Sequence, residues 1–402
     1  MPETSKTAES TESRLGLPGI IGPATFCRLI FNTARRFVYP FAPVLSRSLG
    51  VPLTAVTSMI AANQATAMLG LFFGPVADRL GYRLMMLAGL ALLVSGMFAA
   101  GFLPFYGVIL VGLFLAGLGK SIFDPAVQAY VSERVPYRRR GMAIGFLEIA
   151  WAGSTIVGIP LVGLLMDSFG WRSPFFVMGG LGLLGIALVR LLMPSEGKAV
   201  EWQPSSVGFR SSWRQLIVQR RALGALGFAF FASVANDNLF VVYGAWIEQA
   251  FDLSIVALGL GTGVIGLAEL LGETLTATFS DRLGLKRSVI VGLVLSTACY
   301  AILPFCGGTI SLALAGLFLT FITFEFMIVT SISLTTELLP GSRATMLSGC
   351  LAAAGIGRVI GALIGGPIWL LGGILATGMV SATLSTMALA SIAWGLHGWQ
   401  KN

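Results

Sequence analysis

Residues 77–83 read ADRLGYR and residues 280–287 read SDRLGLKR, and the acids Asp78 and Asp281 stand 203 positions apart. A second pair of landmarks keeps the same spacing. Residues 132–141 read SERVPYRRRG and residues 336–344 read TELLPGSRA, so that Arg140 and Arg343 are again 203 apart and Glu133 and Glu337 are 204 apart. Two landmarks that agree to one residue mark an internal duplication in which both copies run in the same direction. In a membrane protein such parallel repeats are related by an axis along the membrane normal, with a solute site at their interface near the bilayer midplane.

The composition places the duplication in a membrane. Of 402 residues 55% are hydrophobic and only 11% charged, with a mean hydropathy of +0.85, against roughly 25% charged in soluble domains. The apolar runs are long and continuous, which excludes a barrel of short alternating strands. About 20 apolar residues cross a bilayer as a helix, and twelve such spans are expected, centred near Asn32, Met68, Leu93, Phe114, Ser154, Gly182, Val234, Gly266, Val294, Ile322, Arg358 and Ser385. The long polar stretch 194–221 separates six spans from six. The reading is therefore a tail at 1–17, a six-helix bundle at 18–193, a linker at 194–221, a second bundle at 222–396 and a short tail at 397–402.

Nineteen of the 26 Lys and Arg fall in the tails, the linker and the loops after spans 2, 4, 8 and 10, whereas the opposite face holds only Arg47 and Arg172. The excess of basic residues on cytoplasmic loops predicts that both termini are cytoplasmic, in a bacterial-type inner membrane or a plasma membrane. The formal charge of +8 is dispersed over these short loops and does not form the basic face that nucleic acid requires. Cys27, Cys299, Cys306 and Cys350 lack metal-type spacing and His397 is the sole histidine, so neither a metal site nor a cofactor is expected.

The loop 74–83 fits the pattern G-x-x-x-D-R-x-G-x-R/K through Gly74, Asp78, Arg79, Gly81 and Arg83, and the second copy keeps Asp281, Arg282, Gly284, Lys286 and Arg287. On these residues the chain resembles the major facilitator superfamily of twelve-helix secondary transporters, from about residue 18 to residue 396. The resemblance implies an all-α membrane fold of two six-helix bundles, a monomer and alternating access. It also implies a conformational latch on the cytoplasmic side, in which Asp78 caps helix 11 and Asp281 caps helix 5; Glu133 and Glu337 are candidate partners for Arg79, Arg83 and the cluster ending at Arg140, with Arg343 and Arg282 in the second copy. Span 5 carries Gly158-Ile-Pro160, a partial match to a Gly-Pro signature of the family's exporters. The family's helix 4 arginine is replaced by Leu113, with Lys120 and Asp124 further along the span.

An ionisable side chain at mid-bilayer costs at least about 2.5–3.5 kcal/mol on insertion scales, so each needs a partner, water or a function. Arg28, Asn32, Arg35, Arg36 and Tyr39 recur at helical spacing and form one polar face of span 1. Lys120 and Asp124, Glu148, the run Asn236, Asp237 and Asn238, Glu269 and Glu273, Glu325 and Arg358 add to it. Two readings stand side by side: an arginine clamp for an anionic solute, or an internal ion-pair network that rearranges during transport and leaves one or two acids to carry protons. Asp124, Glu148, Asp237, Glu269 and Glu325 are the proton-coupling candidates, because the spans hold no histidine. Arg35 and Arg36 are adjacent and cannot point to the same place.

Two motif matches are decoys: Gly261-Thr262-Gly263-Val264-Ile265-Gly266 lies in an apolar span without a preceding strand, and Gly119-Lys120-Ser121 lacks the glycine of a phosphate loop at Phe114. No ATP-driven motor is encoded. The expected function is secondary transport of a small organic solute, foremost proton-coupled export of an amphiphilic compound, with uptake or exchange of an organic anion as the alternative. A membrane-embedded enzyme and a non-transporting receptor are the rivals of another class.

Overall fold

The computed structural model describes residues 17–134, 146–194, 218–339 and 343–399, which are helical almost throughout and contain no strand. Within lipid a helix satisfies every backbone donor and acceptor internally, and the long apolar runs leave no alternative. The first set of helices comprises α1 (Leu17–Arg36), α2 (Ala42–Leu49), α3 (Leu53–Leu80), α4 (Tyr82–Phe102), α5 (Tyr106–Arg134), α6 (Phe146–Phe169) and α7 (Ser173–Leu192). The second set comprises α8 (Arg220–Phe240), α9 (Tyr243–Phe251), α10 (Ile255–Leu283), α11 (Leu285–Ile302), α12 (Ile310–Leu338) and α13 (Arg343–Gly395). Every expected span centre falls inside one of these helices, and residues 195–217 of the expected linker lie outside the described residues.

Nine of the described helices are individually long and apolar enough to cross a membrane, and the fold accounts for the remaining crossings. At 53 residues and 1.5 Å per residue, α13 is about 80 Å long, more than twice the hydrocarbon thickness of about 30 Å. It breaks at Gly372 and Gly373, the latter at φ 58° and ψ −148°, a region open to glycine alone, and so supplies crossings eleven and twelve. Crossing one consists of α1, whose apolar character is diluted by three arginines, continued by α2 after a break at 37–41. Crossing seven has the same design, α8 continued by α9 after Val241 and Val242. Gly81 (φ 91°) and Gly284 (φ 81°) turn the chain between α3 and α4 and between α10 and α11, which is the physical reason that both copies of the repeated loop carry glycine there.

Small residues bring the helices into backbone contact. A Cβ added to Gly96 would lie 2.4 Å from the Gly112 carbonyl, joining α4 to α5, and one added to Gly357 would lie 2.4 Å from the Phe230 carbonyl, joining α13 to α8. Between the two sets the approach is closest near the breaks, where a Cβ on Gly244 would lie 2.4 Å from the Pro40 carbonyl. Arg47 on α2 forms a two-pronged ion pair with Glu248 on α9 at 2.6 and 2.9 Å. The face opposite the termini is therefore closed.

Candidate functional site

Between the two sets lies a cavity of about 610 Å³ that all eleven intramembrane charges anticipated from the sequence line. Its deep end is formed by Tyr39, Gln64, Asp237 and Phe240. From there it extends to Thr335 and Leu347, within four residues of the ends of α12 and α13 on the face that carries the termini. The cavity is thus accessible from the termini side and sealed from the other.

On the wall built by α1, α5 and α6, four bases meet two acids. Arg28 donates to Glu148 at 2.7 Å and lies 3.4 Å from Asp124, which also receives Lys120 at 2.5 Å. Gln128 reaches Glu148 at 3.4 Å. The spacing of Lys120 and Asp124 at i and i+4 on α5 puts them on one helix face, and Arg28 is 5% exposed, so its charge is balanced within the protein. Arg35 and Arg36 diverge as their adjacency requires: Arg35 donates to Gln64, and Arg36 crosses the cavity.

The facing wall, built by α8, α10, α12 and α13, carries four acids and one base. Glu269 receives both terminal nitrogens of Arg36, at 2.5 and 3.0 Å, and the Thr155 hydroxyl at 3.4 Å. Asp237 accepts from Gln64 at 3.4 Å and from the Tyr39 hydroxyl at 3.5 Å, with Gln64 also donating to Tyr39. Glu273, Glu325 and Arg358 line the cavity and form no ion pair among the described residues. Aromatic rings complete the lining: the Arg36 guanidinium lies 4.4 Å from the centre of Trp151 and 5.7 Å from that of Phe240, and Phe240 packs on Tyr39, Tyr243 and Phe321 at 4.4, 5.3 and 5.3 Å.

Two residues anticipated in the site lie elsewhere. Asn238 is fully buried and donates to the Thr377 carbonyl at 3.1 Å and to Ser381 at 2.9 Å; one position beyond Asp237 the helix has turned by about 100°, so its amide ties α8 to α13. Asn32 is 1% exposed and does not line the cavity. It sits in the α1 stripe, but its short side chain stays beneath Arg28 and Arg36, which span to their partners one turn on either side. Gln64, Trp151 and Glu273 line the site without having been singled out for it. A mid-span amide next to Asn63 is the signal that pointed to Gln64; the aromatic residues gave none, since rings occur throughout the spans.

The repeated loops are placed but only partly described. The Arg83 guanidinium donates to the Arg190 carbonyl at 2.7 Å, at the end of α7. Its counterpart 203 residues on, Lys286, donates to the Leu396 and Trp399 carbonyls at 2.9 and 3.2 Å, at the end of α13. Each cation thus serves the C-terminal end of a helix in its own half, where the partial negative charge is. Arg79, Arg282 and Glu337 lie at the same face. The side chains of Asp78, Glu133, Asp281 and Arg343, with Gly74 and the whole of Arg140, lie outside the described residues.

The sequence profile described as Major Facilitator Superfamily matches residues 24–233 and again residues 225–398. This chain belongs to that superfamily. Its members are transporters rather than enzymes, and the double match coincides with the duplication visible in the loops. Among relatives, the uncharacterized MFS-type transporter YceJ of Bacillus subtilis is 28% identical over 84% of this chain and 86% of its own length. A protein named multi-drug resistance efflux pump PmrA homolog, from Lactococcus lactis, is 23% identical over 90% and 91%. A putative tartrate transporter of Agrobacterium vitis is 27% identical over 66% and 62%. The crystal structure of the nucleoside transporter NupG superposes with a TM-score of 0.77 at 13% identity over 95% of this chain and all of that one, a likeness of fold. The superfamily member described here is accordingly a multi-pass membrane carrier for a small solute, seen with its cavity open toward the termini.

Proposed function

We propose that the chain exports small amphiphilic compounds in exchange for protons. The two bundles, 18–193 and 222–396, rock about the cavity in a bacterial-type inner or plasma membrane with both termini cytoplasmic, so the described state opens inward. The observation that carries this reading is the acidic wall: Glu273 and Glu325 face an aromatic-lined cavity with no basic partner among the described residues, while Arg28, Arg36 and Lys120 are each held by an acid. Such a cavity holds surplus negative charge for a proton or for a solute with a positive or apolar face. The efflux-pump name of the Lactococcus relative, which aligns along 90% of this chain, supports the same direction. In the outward-facing state Asp78 and Asp281 close the cytoplasmic side.

A second reading, exchange of an organic anion, draws on Arg35 and Arg358, which line the cavity outside any ion pair among the described residues, and on the relative named as a putative tartrate transporter. Proteoliposomes decide between the two. An imposed pH gradient, acidic on the side opposite the termini, drives accumulation of a lipophilic cation toward that side if the export reading holds. Transport of dicarboxylates, abolished by Arg35→Ala and Arg358→Ala, establishes the second instead.

A further inference from the structure

We propose that Glu269 is the carboxylate at which a proton and the solute compete with Arg36, and that the Arg36–Glu269 bond holds the empty, deprotonated carrier closed at the face opposite the termini. The inference rests on the antiport reading above and names its coupling residue and the charge of its solute.

The bond joins the two halves where they must part. Arg36 ends α1 and Glu269 sits mid-way along α10; both side chains are nearly inaccessible, at 3% and 7% exposure, yet both border the cavity. Its geometry is built from both sides. Gly266, one turn before Glu269, lets α10 press against α6, since a Cβ there would lie 2.8 Å from the Thr155 side chain. Thr155 itself lies in a π-helical turn, Ser154–Gly158, a widened turn that often marks functional positions, and it directs its hydroxyl at Glu269. Arg36 stacks on Trp151, a residue of its own half. When Glu269 loses its charge, the guanidinium keeps that ring and remains with the first bundle, so the second bundle is released.

The charges around Glu269 make it responsive. Glu273 follows one turn along the same helix, Glu325 approaches from α12 and Tyr243 from α9, while Glu148 of α6 faces Glu273. Asp237 of α8 and Arg358 of α13 line the same space. Arg36 is therefore the principal base opposing three clustered carboxylates. A proton or a cationic group entering this cluster relieves mutual repulsion and weakens the hold on Arg36 by the same act.

An exchanger must prevent its unloaded form from reorienting, because each empty return dissipates the gradient. A bond that forms only when Glu269 is deprotonated and unoccupied imposes that rule, and either ligand lifts it. The proton arrives from the face opposite the termini, neutralises Glu269 and leaves on the termini side as the bond re-forms. The solute that takes its place carries an ammonium, amidinium or quaternary cation; an anion cannot compete for a carboxylate.

Spin labels at Ser48→Cys and Gln249→Cys, in a background with the four native cysteines replaced by serine, report the separation of α2 and α9 in nanodiscs without solute. The expected result is a short distance alone near about pH 8 and a long-distance population at least about five-fold larger near about pH 5.5, where clustered carboxylates take up protons. Glu269→Gln should show the mixed distribution at both pH values, and Glu269→Asp, which keeps the charge but shortens the reach, should open the face already near pH 8. A wild-type distribution that ignores pH, or a full pH response retained in Glu269→Gln, overturns the proposal. Distances that respond as expected while proteoliposomes show no exchange of solute for protons leave the lock standing and remove the antiport reading.

Discussion

On the wall made by α1, α5 and α6 four bases face two acids, and the salt bridges of Arg28 and Lys120 with Asp124 and Glu148 close within that wall. On the wall made by α8, α10, α12 and α13 four acids face one base, and Glu273 and Glu325 stand in the cavity without an ion pair among the described residues. Both walls descend from one duplicated design, yet the first has the character of a scaffold and the second that of a binding surface. Burying a charge costs several kcal/mol unless it is paired. The paired wall meets this requirement in the resting protein, whereas the other meets it only when a proton, water or solute is present.

This contrast is open to direct attack. The largest expected effect is on transport: Glu325→Gln and Glu273→Gln should each lower proton-driven accumulation in proteoliposomes at least about ten-fold while leaving thermal unfolding within about 0.5 kcal/mol of wild type. If either variant transports normally, or unfolds early, the acidic wall is structural and the contrast fails. Next comes Arg28→Ala, which strands Glu148 and leaves Asp124 with Lys120 alone. Breaking a buried pair costs about 3–5 kcal/mol, so unfolding should shift by roughly 3 kcal/mol in a protein that still binds solute; an unshifted transition would show that water already serves this wall. The smallest effects test the symmetry itself. Arg83→Ala and Lys286→Ala each remove one contact to the end of a helix, worth about 0.3–1 kcal/mol, and the two losses should match within error. A much larger cost at one of them would mean that the repeated loops have diverged in role.

Much of this was legible in the chain. The duplicated loops and the apolar runs gave the crossings, because a bilayer admits few alternatives to a helix of that length. The eleven intramembrane charges were recognisable as cavity-lining, since lipid offers them no other place. Which of them pair was not legible: Arg28 reaches Glu148 across 120 positions of sequence and Arg36 reaches Glu269 across 233, and such distances depend on how helices are rotated about their axes. A shift of one residue, about 100°, separates Asp237 in the cavity from Asn238 against α13. The breaks after Arg36 and Phe240 were hidden for a related reason: residues 37–41 and 241–242 are as apolar as their neighbours, and tertiary packing of Gly244 on Pro40 sets the bend.

The most direct test of antiport is to add a lipophilic quaternary cation, tetraphenylphosphonium, to the solubilised protein in weak buffer near pH 7 and to follow the proton balance with a pH indicator while binding is measured in parallel. Competition at the acidic wall predicts that binding expels protons, that the release diminishes in Glu325→Gln and in Glu269→Gln, and that it vanishes as the solution is made alkaline enough to empty the wall beforehand. Saturable binding without proton release, or release that is unchanged in both variants, would contradict the account.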